Sequence, residues 1–225
     1  MTAAEDLRFD PDGAQRFEAA VTPYLSAIFD ALADVPTGQA GVRLRDRSAL
    51  RQFLTPTGAI GRIAASVLGD QTRPVRALLF DKTAATNWSL GWHQDRTIVV
   101  RERKPADGFG PWTVKDGLQH VAPPFDLLAG MVTLRMHLDP VPADNAPLLI
   151  APGSHLSGRV TEDQVEEVVA RCGTASCTAE AGDIWLYATP ILHASDAART
   201  PSSRRVLQLD FAAREPGAGL EWLGV

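Results

Sequence analysis

Apolar positions recur with two different periods along this chain, and the change falls near Pro74. Before it, Phe17, Val21, Tyr24, Leu25, Ile28 and Leu32 lie on one helical face, which predicts an amphipathic helix ended at Pro36-Thr-Gly38. Ser48–Leu54 and Gly58–Leu68 are predicted as two further short helices, the second stopping before Gly69-Asp70 and Pro74. After it, the pattern shortens to strand-like runs: Val75–Asp81, Arg96–Arg101, Met131–Leu138, Pro147–Ile150, Asp183–Tyr187 and Arg205–Phe211. These runs are β-branched or alternating and bounded by Gly, Pro, Asn or Asp. Thr161–Arg171 is predicted as one more helix, with Thr161 as its N-cap. A helical preface (1–73) followed by a strand-rich core (74–212) predicts a mainly β fold. The expected architecture is a sandwich or barrel with helices packed on one outer face. No internal repeat or linker interrupts it, so residues 1–225 are expected to form one domain.

The 225 residues are 45% hydrophobic and 22% charged, an ordinary globular balance that rules out a low-complexity chain. Lys and Arg number 22 against 27 Asp and Glu, a net charge of −5, which argues against nucleic acid as the main partner. No run of 18 apolar residues would span a membrane. The start, Met1–Asp10, lacks the basic-then-apolar order of a signal peptide, so a cytoplasmic location is expected. Cys172 and Cys177 are expected to be reduced thiols without a chemical role. Residues 103–129 are rich in Pro and Gly with little periodicity. An interval of that length is expected to be an ordered lid carrying Phe109, Trp112 and His120.

The sharpest chemical signal is Trp92-His93-Gln94-Asp95. On an extended strand His93 and Asp95 point to the same side, so an imidazole and a carboxylate are presented together while Gln94 faces away. Such a triplet is weak evidence by itself. A second histidine, in Leu192-His193-Ala-Ser195, strengthens it. Two imidazoles and one carboxylate on one face of a metal, with open positions opposite, suit non-haem Fe(II) and oxygen chemistry.

The set His93-x-Asp95, Pro152-Gly-Ser-His155, His193-x-Ser195 and Arg204 resembles the phytanoyl-CoA dioxygenase family of Fe(II)/2-oxoglutarate oxygenases, over roughly residues 74–212. The resemblance implies a double-stranded β-helix core of the jelly-roll or cupin kind, with the N-terminal helices packed on one sheet. It implies Fe(II) held by His93, Asp95 and His193, with 2-oxoglutarate and O2 as cosubstrates. Arg204, eleven residues after the second histidine, would take the far carboxylate of 2-oxoglutarate, helped by Ser195. Asn87 and Lys82, on the approach to the His93 strand, are candidate helpers for the proximal end of 2-oxoglutarate. His155 is expected to be structural.

Strand periodicity also distinguishes Arg204 from Arg205. Arg204 shares a face with Val206, Gln208 and Asp210, whereas Arg205 shares one with Leu207, Leu209 and Phe211. The polar face should line the interior, so Arg205 is expected in solvent or a surface ion pair. At Met131–Leu138, Arg135 and His137 stand where the family pattern suggests apolar or aromatic side chains. They belong either to a polar pocket wall or to an outer face with paired charges. Trp92 and the lid residues are further substrate candidates. The expected activity is hydroxylation of a small molecule with release of succinate and CO2. The alternatives are a non-catalytic binding module and a cupin metalloenzyme that uses no 2-oxo acid.

Overall fold

The computed structural model describes residues 4–225. Its strands are β1 (Ala14–Phe17), β2 (Val42–Leu44), β3 (Arg73–Lys82), β4 (Leu90–His93), β5 (Ile98–Val100), β6 (Trp112–Lys115), β7 (Leu118–Val121), β8 (Met131–His137), β9 (Leu148–Ile150), β10 (Ala175–Cys177), β11 (Ile184–Ala188), β12 (His193–Ser195) and β13 (Arg204–Ala212). Its helices are α1 (Phe9–Asp12), α2 (Leu25–Ala31), α3 (Arg51–Leu54), α4 (Gly61–Leu68), α5 (Phe125–Ala129) and α6 (Val165–Cys172). The larger sheet runs β1-β11-β8-β13-β3-β2 and the smaller β10-β9-β12-β4, with a three-stranded sheet β5-β7-β6 beside them. All ladders of the two main sheets are antiparallel. The two pack on each other through Leu148, Ile150 and Cys177 of the smaller sheet against Ala14, Trp185 and Tyr187 of the larger. This is the double-stranded β-helix that the motifs imply.

The larger sheet separates two kinds of surface by the two-residue period of its strands. Its outer face carries Ala77, Leu79, Val132, Leu134, Met136, Leu186, Leu207, Leu209 and Phe211. These pack against Ile28, Leu50, Phe53, Leu54, Ile60 and Ile63 from the N-terminal helices. At roughly 1.5–3 kcal/mol for each large side chain buried, this interface is the main source of stability. Its inner face is polar, with Thr133, Arg135, Arg204, Gln208 and Asp210 all buried.

The predicted strands of the core are present within a few residues of their expected limits. The preface is less helical than expected, because β1 and β2 within it form the two edges of the larger sheet. Both are too short to show alternation against their surroundings. Phe17 consequently lies in β1, and the helix predicted from it begins only at Leu25, after a 3-10 turn at Thr22–Tyr24. Thr161 opens its helix as expected, through a capping box with Gln164.

Residues 103–129 are ordered, but as a packed layer. β6 and β7 form a hairpin whose turn, Asp116-Gly117, has φ of 50° and 75°, the left-handed geometry of a two-residue hairpin. That Asp-Gly pair was the available sign of the hairpin. Phe109 and Trp112 pack against the cluster containing Val75, Ile98, Val121, Leu127 and Trp222. Cys172 and Cys177 are both free thiols. No helix among the described residues is long and apolar enough to cross a membrane.

Leu134 lies fully buried, between Leu186 and Leu209 on its neighbouring strands. Leu134→Ala should cost about 2–5 kcal/mol of unfolding free energy, read from the urea midpoint at unchanged slope.

Candidate metal centre

The antiparallel register of β12 and β4 sets His193 directly opposite His93. Their ring centroids lie 4.3 Å apart. Asp95 follows two residues after His93, and one donor atom from each of the three residues lies within 4.8 Å of the others. His93 Nδ1 lies 2.8 Å from the carbonyl of Gly91, and His193 Nδ1 lies 3.0 Å from the carbonyl of Ile191. A carbonyl only accepts, so each Nδ1 carries the proton and donates. Each Nε2 is then left with a free lone pair, the form in which imidazole binds a metal. The same device on both histidines, beside a carboxylate, fits a divalent metal with two nitrogen donors and one oxygen donor.

Neighbouring groups hold this set in place. Gln94, which the alternation turns away from the site, is buried and donates to the carbonyls of Gly158 and Pro190 at 2.9 and 2.8 Å. Its own carbonyl accepts from Val160 N–H at 2.9 Å, so it rivets the His-x-Asp turn to the loop before α6. Ser154, in the Pro-Gly-Ser-His motif, accepts from the Leu192 amide at 2.8 Å and so anchors the residue before His193. His155 is structural as expected. Its ring lies where a Cβ on Gly13 would stand, 2.2 Å from Nδ1, and Gly13 has a φ of +75°.

Arg76 is a residue that the motifs did not reveal. From β3 it reaches Asp95 at 3.3 Å and Asp210 at 2.5 Å. Burial pushes the Asp95 carboxyl up, but Arg76, followed by His193 and His93, outweighs it and holds Asp95 below its ordinary value. Asp210, buried near Asp95, is pushed up despite Arg76, and it accepts from Thr133 at 3.1 Å. Burial lowers His193 to about 4, against the pull of Asp95, so it is neutral and available as a ligand near pH 7. The only trace of Arg76 in the sequence is its place on the inner face of β3, in register with Asp210.

Arg204 also lies on the inner face, paired across the sheet with Lys82. It is buried and donates to the carbonyl of Ala146. Arg205 points outward into a two-bond pair with Asp139, at 2.9 and 2.7 Å, as the facing argument expects. Lys82 donates to Ser195 Oγ at 3.2 Å and to the carbonyls of Trp88 and Asp196 at 2.7 and 3.3 Å. Lys82, Ser195 and Arg204 thus form one group of donors. Burial, then Arg204, lowers Lys82 to about 8. Burial, then Arg135, lowers Arg204 to about 9.

The remaining candidates divide. Arg135 and His137 lie on the inner face, so the polar wall is the correct one of the two alternatives. Asn87 does not join the donor group, because its amide clasps both backbone polar atoms of Ala198, at 3.0 and 2.7 Å. Trp92 packs toward the cluster of Val165, Val168 and Leu192 and lines an open cleft of about 890 Å3. His93, Asp95, Arg96, Lys115 and Glu166 line it too. Phe109 and Trp112 do not reach this cleft, being held in the packed layer already described. His120 is buried in β7, and neither ring nitrogen has a partner. Burial, then Arg76, lowers it to about 4.

Arg76→Met removes the guanidinium from Asp95 and should weaken divalent-metal binding about 10–100-fold. A Mn(II) titration of the two proteins checks this, and equal affinities would show that Asp95 is held without Arg76.

The chain is similar to several solved structures. EctD from S. alaskensis, solved with bound Fe, matches at a TM-score of 0.67 and 19% identity, over 100% of this chain and 82% of that one. HygX from Streptomyces hygroscopicus, solved with nickel and 2-oxoglutarate, matches at 0.61 and 14% identity, over 91% and 84%. The epimerase SnoN, in complex with Fe3+, alpha ketoglutarate and nogalamycin RO, matches at 0.62 and 17% identity, over 91% and 80%. A search of curated protein sequences found no match. The profile of the phytanoyl-CoA dioxygenase (PhyH) family matches residues 41–206, a span that holds His93, Asp95, His193 and Arg204, and the chain belongs to that family of oxygenases.

Proposed function

We propose that this chain is a non-haem Fe(II)/2-oxoglutarate-dependent dioxygenase that hydroxylates a small molecule. The observation that carries the reading is the convergence of His93, Asp95 and His193, with both Nδ1 atoms committed to backbone carbonyls. The iron and 2-oxoglutarate found in structural relatives support it. His93 and His193 would bind Fe(II) through Nε2, and Asp95 through a carboxylate oxygen. The bound metal and cosubstrate supply oxidative decarboxylation, coupled to substrate oxidation, with succinate and CO2 released.

The chain's own groups do the rest. Arg204 and Ser195 bind the far carboxylate of 2-oxoglutarate, since a guanidinium fork and a hydroxyl are matched donors for it. Lys82, already bonded to Ser195, adds charge to the same end. Arg76 orients Asp95. The cleft beside His93 and Asp95 admits the substrate, with Trp92, Leu90 and Val165 as apolar wall and Arg96, Lys115 and Glu166 as charged rim. The hairpin β6–β7 brings Lys115 to that rim.

The test is an anaerobic titration of metal-free protein with Fe(II) and then 2-oxoglutarate, following the visible charge-transfer band of the chelate. The band should form. His93→Ala should abolish it by losing the metal. Arg204→Ala should keep the metal and weaken 2-oxoglutarate by about a hundredfold, while Arg205→Ala leaves both unchanged. Iron binding without a band would favour a cupin that uses no 2-oxo acid. Failure to bind iron would overturn the reading.

A further inference from the structure

The inner face of the larger sheet holds more positive charge than one arginine-bound carboxylate requires. Lys82, Arg135 and Arg204 are all buried there, at 3%, 9% and 3% exposure. Among the described residues, none of the three forms an ion pair with a carboxylate; Lys82 and Arg204 bond backbone carbonyls and the Ser195 hydroxyl, and the Arg135 guanidinium stacks on Phe80. A buried cation without an anionic partner is costly, so three together on one surface mark a place built for an anion.

Arg135 takes part in this by its direction. From β8 it lies opposite Gln208, yet its guanidinium stacks on Phe80, 5.2 Å from the ring centroid. Phe80 is paired with Val206, one same-face step from the Lys82–Arg204 pair. The Arg135 side chain therefore leans along the sheet toward Arg204. Unpartnered polar atoms gather at the same place: Nε of Arg135, Nε of Arg204 and both ring nitrogens of His137. Tyr187 lies beside the metal side of the site, with its ring 5.9 Å from that of His193. Buried donors without acceptors are rare in folded chains, and here they lie within one or two register steps of the Lys82–Arg204 pair. His137 adds no charge, because burial and then Arg135 and Arg204 lower it to about 3.

We propose that Arg135 is a second guanidinium clamp on the far carboxylate of 2-oxoglutarate, so that this chain grips the cosubstrate between Arg135 and Arg204, with Lys82 behind them. The proposal rests on the reading of the site as a 2-oxoglutarate site. Its consequence is selectivity: a pocket with this much charge takes a 2-oxo acid with a second carboxylate and discriminates against one that ends in a methyl group.

The experiment compares 2-oxoglutarate with 2-oxopentanoate, which has the same chelating head and no far carboxylate. Both are titrated anaerobically into the Fe(II)-loaded protein and its R135M and R135Q variants, with binding followed by the chelate band and by calorimetry. Both variants should lose about tenfold to a hundredfold in 2-oxoglutarate affinity. Their Fe(II) affinity and 2-oxopentanoate affinity should stay within about twofold, and R135K should recover part of the loss. Undiminished 2-oxoglutarate binding in R135M would overturn the clamp. So would an equal loss of both ligands together with a lowered unfolding midpoint, the mark of a residue that only supports the fold. If the wild-type chain binds Fe(II) but not 2-oxoglutarate, the site reading itself fails and the clamp with it.

Discussion

The ladder between β12 and β4 sets the spacing of the two imidazoles, and the site is built outward from that pairing. Antiparallel partners directly opposite each other stand about 4.5–5.5 Å apart at Cα, close enough for two ring nitrogens to meet on one ion. A slip of one residue would turn one histidine to the other side of the sheet. The register is therefore pinned on both flanks. Ser154 holds the residue before His193, Gln94 as the residue after His93 is itself bonded to Gly158, Pro190 and Val160, and β12 is also paired on its far side with β9. Asp95 lies beyond the end of its strand, where no ladder bond constrains it, and Arg76 takes over that task.

Placing so much charge inside a small fold is possible because the opposite face of the same sheet is so apolar. Each strand alternates between a residue in the helix-covered core and a residue in the polar interior. Leu207 and Leu209 face the helices, while Gln208 and Asp210 face the smaller sheet. The stabilising contacts and the destabilising buried charges are thus interleaved along one backbone. The charges are also connected among themselves. Asp210 joins Thr133 to Arg76, and Arg76 joins Asp210 to Asp95, so the interior is a network in which few groups act alone.

Much of this was legible in the sequence, because the informative signals were periodic or closely spaced. Alternation revealed the core strands and separated Arg204 from Arg205, and the i, i+2 rule placed His93 and Asp95 on one side. Short segments without room for a period were not legible. β1 and β2 read as helix or loop because three or four residues take their conformation from a neighbouring edge rather than from their own pattern. The roles of Arg76 and Gln94 were not legible for a different reason: among their partners are Asp210 and Val160, 134 and 66 positions away, and no local spacing encodes such a partner. Asn87 illustrates a limit of spacing, because an amide near a site and an amide fastening a loop look alike until its bonds to Ala198 are seen. Arg135 and His137 stood out as departures from the family pattern, but only the register of β8 decided which face they occupy.

The N-terminal strand has a consequence for how this molecule comes into being. β1 pairs with β11, and the Arg16–Asp183 contact joins residues 167 positions apart. A ribosome releases the first edge of the larger sheet long before its partner exists, and His193 emerges a hundred residues after His93. No nascent fragment that stops before His193 can bring the three side chains together. Topology of this kind folds slowly, since long loops must close before distant contacts reward them. The three side chains are thereby brought together late, only once β12 has paired with β4.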